Sequence, residues 1–238
     1  MRSKLSILLI AAGILLAAVP IGGTLYTSYQ QYRLINQWEL ADQTDLTTDA
    51  GSAEEAYSDL NNVFSGADGG TEVTPTPGES VTPAAGNNPA PSESPKPKPK
   101  PKPRPKQKVL GILTIKKIDL TVPVVEGVDS DQLAVGAGHI PGTAKIGDAG
   151  NCAIAGHRNY TFAQFFRYLD KLKAGDEIQI MTKLGTFKYK VYDSTVVEPT
   201  DVSVLKPVKG ESTLTLITCH PYIMATQRLI IKAKLEGN

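Results

Sequence analysis

Cysteine and histidine are scarce: two cysteines, Cys152 and Cys219, and three histidines, His139, His157 and His220, serve all 238 residues. Two cysteines make a poor disulfide framework for a chain of this length. Neither Cys-x-x-Cys nor His-Glu-x-x-His spacing occurs, so no metal is expected, and no other cofactor either. Gly136-Ala-Gly138 lacks a third glycine in register and no helical pattern follows it, which removes a phosphate loop. Charge is absent from Leu5 to Tyr32, and Lys and Arg are absent between Arg33 and Lys96. With 238 residues and so uneven a composition, a single globular domain much shorter than the chain is expected.

The first absence of charge marks a membrane segment. Leu5 to Val19 is almost wholly aliphatic with Ala and Gly, and Ile21, Leu25 and Tyr26 extend the run to a length that spans a bilayer. Small residues at Ala17, Ala18 and Gly22 leave a cleaved signal peptide as the other reading. The expectation is an uncleaved anchor over 5–27. Arg2 and Lys4 keep residues 1–4 in the cytoplasm by the positive-inside rule, and the remainder lies outside the cell.

Residues 28–108 read as an extracellular linker. Its charge is segregated, acidic only from Asp42 to Glu93 and basic only from Lys96 to Lys108, so the net charge of +1 says little about partners. Within the linker, Ser52 to Phe64 carries a Ser-x-x-Glu capping pattern with Ala53, Ala56, Tyr57, Leu60 and Phe64 on one helical face. Alone such a helix frays; the alternative is a flap over the folded domain. From Thr74 to Lys108 the composition turns to Pro, Gly and Ser and then to PKPKPKPKPRPK, a disordered stalk of polyproline II character that reaches about 100 Å. Contact with anionic lipid or wall polymer and plain solvation are both open for the basic run. Nucleic acid is not expected, because no aromatic residue interleaves the bases.

From Val109 the texture changes to short apolar runs broken by Gly, Pro and Asp: VLGILTI, IDLTVPVVEG, NCAIAGH, DEIQIMT, TFKYKVYDSTVVE, STLTLITC and RLIIKAKL. Seven or eight strands in about 130 residues predict a closed or nearly closed, mostly β barrel over 109–238, interrupted by a helix from Thr161 to Leu172. Strand alternation then assigns faces. Leu214, Leu216 and Thr218 oppose Thr215, Ile217 and Cys219; Cys152, Ile154 and Gly156 oppose Ala153, Ala155 and His157. Leu229, Ile231, Ala233 and Leu235 face the core, and Arg228 faces out.

Neighbouring strands would bring His157, Cys219 and Arg228 together on the outer surface: a nucleophile, a proton carrier and a stabiliser of oxyanion charge, the parts of covalent acyl transfer. Cys152 reads as a small buried hydrophobe. His139, in the turn-rich GAGHIPGT, is structural or lines the groove, and His220 points away from its neighbour Cys219.

Thr215-Leu216-Ile217-Thr218-Cys219 resembles the TLxTC motif of the sortases, with Arg228 at the position of that family's arginine. LGILTIKKIDLTVPVVEG, GHIPGTA and AIAGHRNYTFAQFFRYLDKLKAGDEI resemble further segments, so the likeness runs from about Val109 to Leu235. CHPY, GHIPGT and the compact stretch Val197 to Ser212 look most like class D. The resemblance implies an eight-stranded barrel with one or two short helices, and a membrane-bound cysteine transpeptidase that cuts an LPxTG-like sorting signal between Thr and Gly. Cys219 would be the nucleophile, His157 the acid and base, and Arg228 the holder of substrate and oxyanion. Thr218, His139, Ala155 and Ile217 would line the substrate site. The partners implied are surface proteins bearing the signal and an amine of a peptidoglycan precursor. A wall-binding module without catalysis and a thiol peptidase are the competing readings.

Overall fold

The computed structural model describes residues 25–26, 28–39, 52–67, 107–158 and 163–237. The cytoplasmic segment 1–4, nearly all of the expected anchor 5–27 and the stalk from Thr74 to Lys106 lie outside them. Among the described residues no helix is long and apolar enough to cross a membrane.

Eight strands form the domain: β1 (Val109–Ile115), β2 (Leu120–Glu126), β3 (Ala137–His139), β4 (Gly150–Ala155), β5 (Glu177–Thr182), β6 (Gly185–Val197), β7 (Ser212–His220) and β8 (Gln227–Leu235). They close into a barrel in the order β1-β2-β3-β4-β7-β8-β6-β5. Closure leaves no strand edge unpaired, as the run of short apolar segments requires. The β2/β3 and β4/β7 pairs are parallel, and the other six ladders are antiparallel.

Alternation along the strands sorts the apolar residues into two clusters. Leu113, Val122, Val124, Cys152, Ile154, Ile178, Ile180, Leu214, Leu216, Leu229 and Ile231 fill the barrel. Ala153, Ala155, Ile217, Cys219 and Ile230 form a second cluster with Leu133, Ile140, Val204 and Leu205. The face assignments for β4, β7 and β8 therefore hold residue by residue.

Residues 28–39 are helical (α1). The second helix, α2, spans Ala53–Ala67, with the Ala56 amide bonded to the Ser52 carbonyl at its start. Its Tyr57, Leu60 and Phe64, spaced three and four apart on one face, are buried in the second cluster. The helix is therefore a flap over the domain and not a frayed segment of linker. Each such side chain contributes about 1.5–3 kcal/mol of burial, set against the entropy of ordering the segment.

The helix expected from Thr161 to Leu172 does not form among its described residues. Residues 165–168 form a turn, and only Leu169–Lys171 makes a 3-10 turn. The Phe166 amide bonds to the His157 carbonyl, at 3.0 Å, and not to a carbonyl one helical turn back. Its ring packs so closely on Gly156 that a Cβ there would sit 2.9 Å from the ring, so tertiary packing overrides the helical period. A four-residue α-helix, α3 (Ser130–Leu133), also packs on the barrel wall.

Candidate active site

The site is built by register. In the parallel β4/β7 ladder, Gly150 pairs with Ser212 and each following residue pairs in step through Ala155 with Ile217. The ladder's next bonds carry the register onward: the Gly156 amide donates to the Ile217 carbonyl at 3.1 Å, and the Thr218 hydroxyl donates to the Gly156 carbonyl at 2.7 Å. His157 is thereby held beside Cys219. On the other side, β7 and β8 run antiparallel with Cys219 opposite Arg228. Directly opposed residues leave a sheet on one face, with Cβ atoms about 4.5–5.5 Å apart. Three adjacent strands thus set an imidazole, a thiol and a guanidinium in one transverse row outside the barrel.

The row is covered. Cys219 is 2% exposed, His157 4% and Arg228 2%. The cover is α2. The Phe64 ring centroid lies 5.4 Å from that of His157 and 5.2 Å from the Arg228 guanidinium carbon, so the ring lies across the row. The Arg228 Nε donates to Asn61 Oδ1 at 3.0 Å, while Nη1 donates to the carbonyls of Ala225 and Gln227, each at 2.9 Å. Burial pushes the Tyr57 hydroxyl up to about 12 against the opposing field of Arg228, and among the described residues that hydroxyl has no hydrogen-bond partner. Burial also lowers His157 to about 4, so its imidazole is neutral near pH 7.

The residues expected to line the site divide. Ala155 and Ile217 share the outer cluster with Cys219. Thr218 lies on the opposite face of β7, its hydroxyl tied to Gly156, so it sets strand register and does not face the row. His139 is buried apart from it. Its Nδ1 faces Glu126 Oε1 at 3.1 Å and its Nε2 faces the Ala144 carbonyl at 3.0 Å, and two acceptors on one ring call for an imidazolium. Burial opposes the charge, but the Cys152 side chain and Glu126 outweigh it and raise His139 to about 10. Of the two roles open to His139, the structural one fits this packing. Neither cysteine is in a disulfide.

Arg158, the residue after His157, is a buried arginine behind the row. It donates to the Cys219 carbonyl at 3.4 Å and to His220 Nδ1 at 2.9 Å, and pairs with Asp170 at 3.1 Å. It braces the end of β7 from the face opposite the thiol. Its place directly after His157, hence on the other face, was the available signal.

Fold and site together define a small closed β barrel that carries a thiol, an imidazole and a guanidinium in a row on its wall. A family model described as the sortase domain matches residues 113–236. The chain belongs to the sortase family. It is 32% identical to Sortase D of Bacillus subtilis over 127 residues, which covers 52% of this chain and 62% of that protein. It is 36% identical to Sortase SrtE1 of Streptomyces coelicolor over 140 residues, 52% of this chain and 39% of the relative. The chain thus spans less than two thirds of either. Among solved structures, it resembles a Clostridium perfringens Sortase D5 transpeptidase at 39% identity and a TM-score of 0.50, covering 54% of this chain and 79% of that one. The likeness to sortase A of Corynebacterium diphtheriae has 34% identity and a TM-score of 0.54, over 57% and 64% of the two chains.

Proposed function

We propose that this chain is a membrane-anchored cysteine transpeptidase that joins surface proteins to the cell wall, cutting an LPxTG-like sorting signal between Thr and Gly. The observation that carries the reading is the row His157, Cys219, Arg228 on adjacent strands, supported by membership of the sortase family. The neutral His157 imidazole takes the thiol proton as the Cys219 sulfur attacks the threonine carbonyl carbon. Arg228 holds the resulting oxyanion. Collapse breaks the Thr–Gly amide bond, His157 passes its proton to the leaving glycine amine, and a thioester remains on Cys219. An amine of a peptidoglycan precursor then attacks the thioester; His157 accepts the amine's proton and returns it to the departing sulfur. Ala155 and Ile217, on the face of the row, line the path of the signal. The class D assignment rests on CHPY and GHIPGT, and the anchor over 5–27 on the uncharged apolar run.

Mass spectrometry of the full chain after incubation with an LPxTG peptide tests the reading. A thioester adduct on Cys219 that an added amine converts to an amide supports it. An adduct that yields free acid whatever the amine marks a peptidase, and a chain that never forms one with any sorting peptide is not a transpeptidase.

A further inference from the structure

Helix α1 touches the barrel before α2 or β1 is reached along the chain. Near its end Trp38 is buried, and the Lys183 ammonium lies 4.7 Å from the centre of the indole ring. The same Lys183 Nζ donates to the Glu39 carbonyl at 3.1 Å. A cation over an indole, bonded also to a carbonyl at the helix C-terminus, fastens α1 to the turn between β5 and β6. That turn is itself braced: the Leu184 amide donates to Thr182 Oγ1, and the Thr182 hydroxyl donates to the Gly185 carbonyl, each at 3.1 Å.

The remaining face of this segment is exposed and aromatic. Leu25, Tyr26, Tyr29 and Tyr32 are 54–65% exposed, and at helical spacing they fall with Arg33 on about a third of the circumference. Leu34, Ile35 and Trp38 occupy the opposite arc and are half-buried or buried. A tyrosine joins an apolar ring to a polar hydroxyl, which suits it to a membrane–water boundary. This face begins where the uncharged apolar run from Leu5 gives out, so the length of chain before it supplies the occupant, a lipid bilayer.

We propose that the tyrosine face of α1 lies in the headgroup layer and that the Trp38–Lys183 clasp holds the barrel close to the membrane by its β5–β6 turn. The proposal rests on the membrane-anchor reading of residues 5–27. Helix α1 rises about 15 Å from Ser28 to Trp38, and this rise sets the height of the clasp. The proline-rich stalk, with its reach of about 100 Å, does not set it. Residues 53–67 pack on the barrel and Val109 begins its first strand, so the chain from 68 to 108 leaves the domain and returns to it. The clasp is also remote from the chemistry. Val197 stands opposite Arg228, which stands opposite Cys219, and the thirteen residues of β6 lead from that level to the turn, about 40 Å of strand. The barrel is thus held by one end of β6 while the row lies at the other.

Neutron reflectometry of the full chain in a supported bilayer of phosphatidylcholine and phosphatidylglycerol measures the height of the domain. We expect its density to begin within about 20 Å of the headgroups and to stay there when residues 95–106 are deleted. Lys183→Glu should move the density outward and shift the emission of Trp38, the only tryptophan of the chain, to longer wavelength. In vesicles of the same lipids, Tyr29→Trp combined with Trp38→Phe should be quenched by phospholipid brominated near the headgroup, and Trp38 of the unsubstituted chain should not. A domain that stands tens of Å off the bilayer, or that moves inward when 95–106 are deleted, makes the stalk the spacer and overturns the proposal. So does a tryptophan at position 29 that escapes quenching, or a height and an emission that Lys183→Glu leaves unchanged. A chain that alkaline carbonate washes from the bilayer has no anchor, and that reading falls together with the clasp; a chain that resists the wash yet stands off loses the clasp alone.

Discussion

The two buried imidazoles are driven in opposite directions by what surrounds them. His157 packs against the uncharged Phe64 ring from α2, and burial lowers it from 6.5 to about 4. A depressed imidazole binds its proton less readily in the folded protein, so its contribution is present above pH 6.5 and is lost as the pH falls toward 4. The packing of α2 over His157 should therefore weaken across that window. NMR titration of His157 is expected to give a value near 4 in the unsubstituted protein and a higher one in Phe64→Ala. His139 behaves inversely, raised to about 10, so its contribution is complete below pH 6.5 and declines as the pH climbs to 10. Urea midpoints measured at pH 6, 8 and 10 should fall more steeply for the natural protein than for His139→Gln. In the reaction itself, Cys219→Ala and His157→Ala should each abolish turnover with the fold retained, whereas Cys152→Ala should leave the adduct on Cys219 intact; loss of the adduct in a folded Cys152→Ala protein would contradict the face assignment.

At the level of strands and helices, the end of β4 is the delicate joint. Gly156 lies between Ala155 and His157 with the Phe166 ring against it, and a methyl group there would come within 2.9 Å of that ring. Gly156→Ala is expected to displace Phe166 or shift His157 out of the row, costing about 1–3 kcal/mol as overpacked sites do, and to lower kcat more than it raises KM. A variant with unaltered kcat would show that the joint yields without moving the imidazole. The helix α2 was legible in the sequence from its capping pattern and its apolar face, yet that pattern states only that the face must be buried somewhere. Its partner surface is assembled from β3–β4, β7, β8 and the 3-10 turn Val202–Leu205, segments distant in sequence. The segment after His157 shows the converse error: Phe165, Phe166 and Leu169 have helical spacing, but the His157 carbonyl and the Gly156 surface hold them in turns.

For the molecule entire, the barrel and its cover answer to different forces. Leu113 on β1 is fully buried, and β1 closes the barrel on β5 through Ile112 to Thr114, so truncating it opens a cavity in the shared core. Leu113→Ala should cost about 2–5 kcal/mol in global denaturant unfolding. Leu60→Ala buries a similar side chain less permanently, and most of its cost should appear in α2 opening, read by amide exchange of 53–67, with a small shift of the barrel's own midpoint. Equal global costs for the two would mean that cover and barrel unfold as one unit.

Alternation along a strand is a property of the covalent chain, and so the sequence alone determined which of Cys152 and Cys219 faces the barrel interior, and that Arg228 and His157 face outward. The anchor and the stalk are proposals that rest on composition alone. Strand adjacency is another matter. That β4 and β8 flank β7, in register, comes from closing the sheet on itself, where each strand must satisfy two neighbours at once. Only that closure set His157, Cys219 and Arg228 in line. Only the apolar trough it left on the barrel wall decided where Tyr57, Leu60 and Phe64 would go, because hydrophobic burial has no direction of its own and takes the surface that the rest of the fold provides.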